Sequence, residues 1–190
     1  MRRTAKYAPL AAAALALALA TTLATPADAQ RRVELGIDAA AVFGLGDQSS
    51  VNINLPGSRF RMGFFQPGSR ISIEPAVGLA YNKVEGADGI FRYDLELGAL
   101  YHFRPIIIAT ADENVITARA TTPYVRPFVG LIGLAGGESD DSEVSAGVGL
   151  GTRIPWRNAL AWRLEANVGY GFDNDAARIG VLAGLSFFPR

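Results

Sequence analysis

Cysteine is absent from this chain, which excludes disulfides, thiolate metal sites and a lipid-modified N-terminal Cys. A basic excess is missing as well. The formal net charge is zero, and once Arg2, Arg3, Lys6 and Asp28 of the first 29 residues are set aside, 15 basic and 17 acidic residues remain. A nucleic-acid-binding domain usually shows a clear surplus of Lys and Arg, so nucleic acid is not an expected partner. Lysine itself is scarce, Lys83 being the only one among those 15 bases. Past residue 29 no run approaches the ~20 apolar residues of a spanning helix, so any insertion into a bilayer must be made by strands. A phosphate-binding loop is lacking too. Gly147-Val148-Gly149-Leu150-Gly151 has the glycines but not the following Lys-Ser/Thr or an adjacent helix, and no cofactor is expected.

What is present begins with a processing signal. Arg2, Arg3 and Lys6 form a positive start, residues 10–23 an Ala/Leu-rich apolar core, and Ala27-Asp28-Ala29 a small-x-small cleavage pattern. Residues 1–29 are therefore expected to be a cleaved signal peptide, with Gln30 opening a mature domain of residues 30–190. At 190 residues in all, one domain is the expectation.

The mature chain alternates with a period of two rather than with helical spacing. Phe91, Tyr93, Leu95, Leu97, Ala99, Tyr101 and Phe103 fall on one face, against Arg92, Asp94, Glu96, Gly98, Leu100 and His102. Leu160, Trp162, Leu164, Ala166, Val168, Tyr170 and Phe172 do the same against Arg163, Glu165, Asn167, Gly169 and Gly171. Ile71, Ile73, Pro75, Val77, Leu79 and Tyr81 oppose Arg70, Ser72, Glu74, Gly78 and Asn82. Eight such segments can be drawn: 32–45, 50–65, 70–83, 90–104, 123–135, 143–155, 159–172 and 177–188. Most have ten or more alternating residues, matching the ~9–11 of a tilted transmembrane strand. In the second segment the apolar parity changes near Pro56-Gly57, which calls for a bulge.

Aromatic placement favours a face turned to lipid. One end of the segments gathers Phe43, Tyr81, Phe91, Tyr93, Tyr170 and Phe172; the other gathers Phe64, Tyr101, Phe103, Trp156, Trp162 and Phe187. Two girdles bounding an aliphatic band place amphipathic rings at both headgroup levels. An even strand count puts both termini on the periplasmic side. The loops then assigned outside carry Asp47, Glu85, Asp88, Glu138, Asp140, Asp141, Asp173 and Asp175, while Arg31, Arg32, Arg104, Arg157 and Arg190 lie at the periplasmic end. Residues 105–122 are long for a periplasmic turn, and an extension of the hairpin beyond the membrane is the only account they suggest.

These alternating Gly-rich segments, the stretch Pro123-Tyr124-Val125-Arg126-Pro127-Phe128-Val129-Gly130 and a last segment ending in Phe187-Phe188 resemble the small outer-membrane β-barrel family. That family includes the OmpA transmembrane domain and OmpX. The resemblance implies an all-β, eight-stranded antiparallel up-and-down transmembrane barrel in the outer membrane. Outer-membrane lipid, lipopolysaccharide and the barrel-assembly machinery become its expected partners. The family often ends on an aromatic residue, where this chain continues with Pro189-Arg190.

With the apolar face outward, the interior is expected to hold Glu34, Asp38, Arg59, Arg61, Arg70, Glu74, Arg92, Asp94, Glu96, Arg126, Arg153, Arg163, Glu165 and Arg178. An eight-stranded interior is just wide enough for side chains to fill it. Charges there must be paired, and arginine suits the task because its planar fork bonds carboxylates two at a time. Inward glycines make room for those long chains. An Arg–carboxylate plug is thus the expected state of the lumen, and a non-enzymatic structural or interaction role the expected function. The alternatives are a narrow channel for ions or small solutes, a barrel enzyme acting on lipid A or other lipids, and a soluble periplasmic barrel with its apolar face turned inward. An enzyme of that kind would need His102 beside a nucleophilic serine at the outer rim, whereas its position suggests a partner in the inner network. Residues 137–143 and Asp173-Asn174-Asp175 offer hard oxygen ligands at no recognised calcium spacing, so no metal is expected.

Overall fold

Alternation decides the architecture: every second side chain points to the same side of a strand, so a chain that alternates throughout must separate two environments. The computed structural model describes residues 32–45, 50–65, 69–82, 90–104, 121–135, 141–157, 159–173 and 175–189. They form β1 (Arg32–Leu45), β2 (Ser50–Phe65), β3 (Ile71–Asn82), β4 (Ile90–His102), β5 (Thr122–Ala135), β6 (Asp141–Arg157), β7 (Leu160–Gly171) and β8 (Ala176–Phe187). Each strand pairs antiparallel with the next, and β1 pairs with β8, closing the barrel. Closure removes the unpaired edges that an open sheet would expose. We call the end where β1 begins and β8 finishes basal, and the opposite end distal.

The two environments are inverted relative to a water-soluble core. Among the described residues, fourteen polar or charged side chains are buried and only eight apolar ones. On β7, Arg163 and Glu165 are 1% and 3% exposed while Leu164 and Val168 are 47% and 52% exposed. An apolar face turned inward, as a soluble ligand-binding barrel would require, is contradicted by this arrangement.

Two departures from regular pairing follow from sequence. The first is the parity change in β2. Asp38 pairs with Arg59 and Ala40 with Asn54, so two steps on β1 match five on β2. An odd surplus of three exchanges the faces, as Pro56-Gly57 predicts. The second is proline inside strands. The β2–β3 ladder is interrupted between Arg61↔Ala76 and Phe64↔Ile73, at Pro75, and the β4–β5 ladder between Gly98↔Phe128 and Tyr101↔Val125, at Pro127. A residue without an N–H cannot donate to its neighbour there.

Glycine supplies the interior space. Arg61 lies opposite Gly36, Glu34 opposite Gly63, Arg126 opposite Gly149, and Glu165 opposite Gly151. A Cβ on Gly36 would fall into the Arg61 guanidinium, and one on Gly149 would lie 2.5 Å from a Glu165 carboxylate oxygen. Large and small residues therefore alternate across the lumen. Gly149→Leu should destabilise the barrel by about 1–3 kcal/mol or prevent its closure, because overpacking forces off-rotamer side chains. Val148→Leu, one residue away and facing outward, should cost less than about 1 kcal/mol. Denaturant unfolding of the two variants compares them, and equal effects would contradict the packing described.

Candidate functional site

The lumen is built in layers. At the base Phe65, Ala161 and Phe188 form a buried apolar cluster, with Phe65 and Phe188 edge to face at 6.1 Å. Phe187 points outward and Phe188 inward, so the last aromatic pair both faces the exterior and stops the base. Above this stop, His102 is fully buried, its Nε2 2.9 Å from Ser72 Oγ and its Nδ1 3.3 Å from Arg153 Nη1.

That contact bears on chemistry. A serine nucleophile needs an unprotonated ring nitrogen to take its hydrogen and a carboxylate to orient the ring. Here Arg153 Nη1, which can only donate, lies 3.3 Å from Nδ1 and 3.5 Å from Nε2, and among the described residues no carboxylate is bonded to the ring. The nearby Glu34 binds Arg153 at 2.7 Å instead. Both Ser72 and His102 are sealed in, at 2% and 0% exposure, near the basal end rather than the outer rim. The pair is arranged as a hydrogen-bonded strut.

The charged layers follow. Glu34 accepts from Arg61 and Arg153, and Asp38 accepts from Arg61 Nε at 3.1 Å. Arg61 also donates to the fully buried Ser186 at 2.7 Å. Glu74 binds Arg163 at 2.5 Å and lies 3.5 and 3.7 Å from Arg61 and Arg153. Glu165 takes both Nε and Nη2 of Arg126, Nη2 of Arg163 at 2.6 Å, and the Tyr124 hydroxyl at 2.8 Å. Glu96 bridges Arg126 to Arg59, and Arg59 reaches Asp94 at 3.3 Å. Positive and negative groups thus alternate from the base to the middle of the barrel.

One conflict inside the network is resolved by an aromatic ring. Arg153 and Arg163 are directly paired across β6 and β7. Tyr124 offers its ring to both guanidinium carbons, at 5.1 and 5.2 Å, while its hydroxyl is held by Glu165. The electron-rich face attracts each cation.

The distal half is not filled. A cavity of about 310 Å³ lies there, floored by Arg59 and Glu96 and walled by Arg92, Asp94, Phe128 and Arg178 among others. Arg178 is paired with Glu143. Thirteen of the fourteen expected interior residues face the lumen: Glu34, Asp38, Arg61, Glu74, Arg126, Arg153, Arg163 and Glu165 buried, and Arg59, Arg92, Asp94, Glu96 and Arg178 half-buried. Arg70 is the correction. Its parity is inward, but it precedes the first ladder pair Ile71↔Tyr101, where the wall has ended, and its exposed side chain reaches the Tyr101 hydroxyl at 3.5 Å.

Glu143, Tyr124, Ser72, Ser186 and Phe188 complete the interior without having been singled out. Tyr124 shares the parity of Arg126, which could have placed it; Glu143 was read as part of an acidic loop. With Glu143 included, the inward ionised groups named here are seven arginines and seven carboxylates. Of the acidic turn, Asp173 accepts from the Val144 amide and Asp175 from the Tyr170 hydroxyl. Asp175 adopts a left-handed backbone with φ 48°, which Asp tolerates. Residues 105–120 and 136–140 lie outside the described residues, as does the expected signal peptide.

The aromatic residues divide as their spacing suggests. Phe43, Tyr81, Phe91, Tyr170 and Phe172 are exposed near the distal end, and Tyr93 there lies over Gly133. Tyr101, Phe103, Trp156, Trp162 and Phe187 are exposed near the base, with Phe64 half-buried beside them. Trp156 and Trp162 lie against each other with ring centroids 5.3 Å apart and planes tilted by 36°.

Solved structures share this arrangement. Neisserial surface protein A is 14% identical, with 82% of this chain and 96% of that chain covered at a TM-score of 0.55. The N-terminal β-barrel domain of OprF from Pseudomonas aeruginosa is 15% identical, with 83% of this chain and 100% of that domain covered at 0.51. The fold is that of a small outer-membrane β-barrel. No family model matches the sequence, and no curated protein sequence matches it significantly. Nothing in these comparisons singles out the OmpA or OmpX branch of such barrels.

Within this barrel two tyrosines that donate to carboxylates, Tyr124 and Tyr170, make a controlled comparison. Tyr124→Phe removes a buried bond to Glu165 and should cost about 1–3 kcal/mol. Tyr170→Phe removes an exposed bond and should cost less than about 0.5 kcal/mol. Glu165→Ala, which removes one negative charge from the buried network and leaves Arg126 with Glu96 and Arg163 with Glu74 as their remaining carboxylates, should cost about 3–5 kcal/mol. Unfolding free energies measured in detergent rank the three, and a Glu165→Ala effect no larger than that of Tyr170→Phe would contradict the network.

Proposed function

We propose that this chain is a non-enzymatic integral protein of the bacterial outer membrane, with a structural or interaction role and a lumen closed by its own ion pairs. The observation that carries the reading is the inversion of faces: ionised groups inside, aliphatic and aromatic side chains outside. An exterior of this kind in water would be a continuous apolar patch far beyond the few hundred Å² that soluble monomers expose. In a bilayer it is matched to its surroundings. Tyr101 and Phe91 are ten residues apart on β4, which at ~3.3 Å per residue and a tilt of ~40° spans about 25 Å, the height of the apolar band in such barrels.

Export through a cleaved signal peptide and insertion by the barrel-assembly machinery belong to the same reading. Lipid and lipopolysaccharide are then its immediate neighbours. The buried charge network argues against a steady pore, since each guanidinium below the middle of the barrel is already held by carboxylates. The His102–Ser72 geometry argues against a lipid-modifying enzyme.

Two measurements test this. The chain has two tryptophans, Trp156 and Trp162, both in the basal girdle. In vesicles their fluorescence should be quenched strongly by lipids spin-labelled near the headgroup and weakly by lipids labelled deep in the chain; the reverse order, or no quenching, would overturn the membrane placement. In planar bilayers the protein should show no steady conductance, and a sustained open state would overturn the plug.

A further inference from the structure

Beyond the short interruptions at Pro75 and Pro127, one ladder of the barrel, β2–β3, stops short of the distal end. Arg59 pairs with Gly78, and the β2–β3 ladder runs from there toward the base as far as Phe65 and Ser72. Distal to that pair, the β2-facing edge of residues 79–82 has no ladder partner among the described residues, although Leu79 to Asn82 stay paired with β4. The cause lies in β2, where Leu55-Pro56-Gly57-Ser58 forms the out-of-register excursion between the two blocks of β1 pairing.

The cavity reaches this gap. Gly78, Leu79 and Ala80, three residues in a row, line it, whereas β4 contributes only the alternate residues Arg92, Asp94 and Glu96, and the paired β7 contributes Asn167, Gly169 and Tyr170. Arg92 sits directly across from Ala80 in the ladder. Arg59 and Arg178 are engaged by carboxylates, while Arg92 forms no salt bridge with a described residue and interacts only at longer range with Asp94 on the same strand. On the outer side of the same gap lie Leu79 and Phe60, 50% and 51% exposed, below Tyr81 of the distal girdle. A cation inside, an open strand edge between, and apolar side chains outside are thus aligned across the wall.

We propose that the distal cavity takes a single-chain amphiphile with an anionic head, its carboxylate or phosphate held by Arg92 inside the wall and its chain leaving through the β2–β3 gap to lie against Leu79 and Phe60. The proposal rests on the outer-membrane reading above. Two observations select this ligand class. An open backbone edge at membrane depth is tolerated only where protein or a polar cavity covers it, and a polar head held at the inner mouth of the gap supplies partners to the edge that an alkyl chain cannot. The cavity, about 310 Å³, has the volume of roughly ten waters at ~30 Å³ each, which suits a head group and not a whole acyl chain.

The test uses protein folded in neutral detergent and read by native mass spectrometry. The probes are oleate, 1-oleoyl lysophosphatidate and the uncharged monoolein. One equivalent of either anionic probe should be retained and monoolein should not. Arg92→Gln should weaken retention about tenfold, the order expected for losing one charge-assisted hydrogen bond. Ala80→Phe, which fills the cavity beside the gap, should abolish it, and Val129→Phe on the outer face of β5 should leave it unchanged. Retention of monoolein equal to that of oleate, no retention of either anionic probe, or indifference to Arg92→Gln would each overturn the proposal. Binding of inorganic phosphate through Arg92 without binding of oleate would overturn the role of the gap. Migration in SDS with and without boiling keeps the two readings apart. A heat-shifted band without ligand condemns only this site, and no heat-shifted band condemns the membrane barrel itself.

Discussion

The structure depends on pairing ionised groups in a space that water does not fill. A guanidinium moved from water into such a space carries a penalty of several kcal/mol unless carboxylates and hydroxyls meet it. Arg61, Arg126, Arg153 and Arg163 are each met by at least one carboxylate. The partners come from far apart in the chain: Glu34 on β1 meets Arg153 on β6, and Arg61 on β2 meets Ser186 on β8. All eight strands contribute a member. The network can therefore be satisfied only when the cylinder has closed, which makes it a condition on the whole topology and not on one hairpin.

Several oddities of composition then have one explanation. Arginine displaces lysine because its flat fork can be shared between two acids, as Arg126 is between Glu96 and Glu165. Glycine is abundant because most of the long inward side chains, Arg61, Glu34, Arg126 and Glu165 among them, face an empty position across a ladder. The aromatic residues sit at the ends because the middle of the outer face is aliphatic.

Much of this was legible before any coordinates. Strand order, strand bounds to within two residues, the two faces and the parity change near Pro56 all follow from alternation and turn chemistry, because a period of two leaves no freedom once one face is fixed. Arg70 was misplaced because parity gives a direction but not where the wall stops. Glu143 was missed for the complementary reason: an acidic run reads as a loop, although its side chain is the first of the inward series continued by Ser145 and Gly147. The arginine partners could not be read at all. Which carboxylate meets which guanidinium depends on stagger around the cylinder, and so does the aromatic mediation by Tyr124 between two facing cations.

The apolar stop formed by Phe65, Ala161 and Phe188 carries a consequence for traffic. With its floor shut and its upper half hollow, the barrel of described strands has the form of a cup. Whatever enters at the distal end must leave by that same end or sideways through the wall. Such a vessel can hold, present or exchange a guest at one end, but among the described residues it has no through-route to the other.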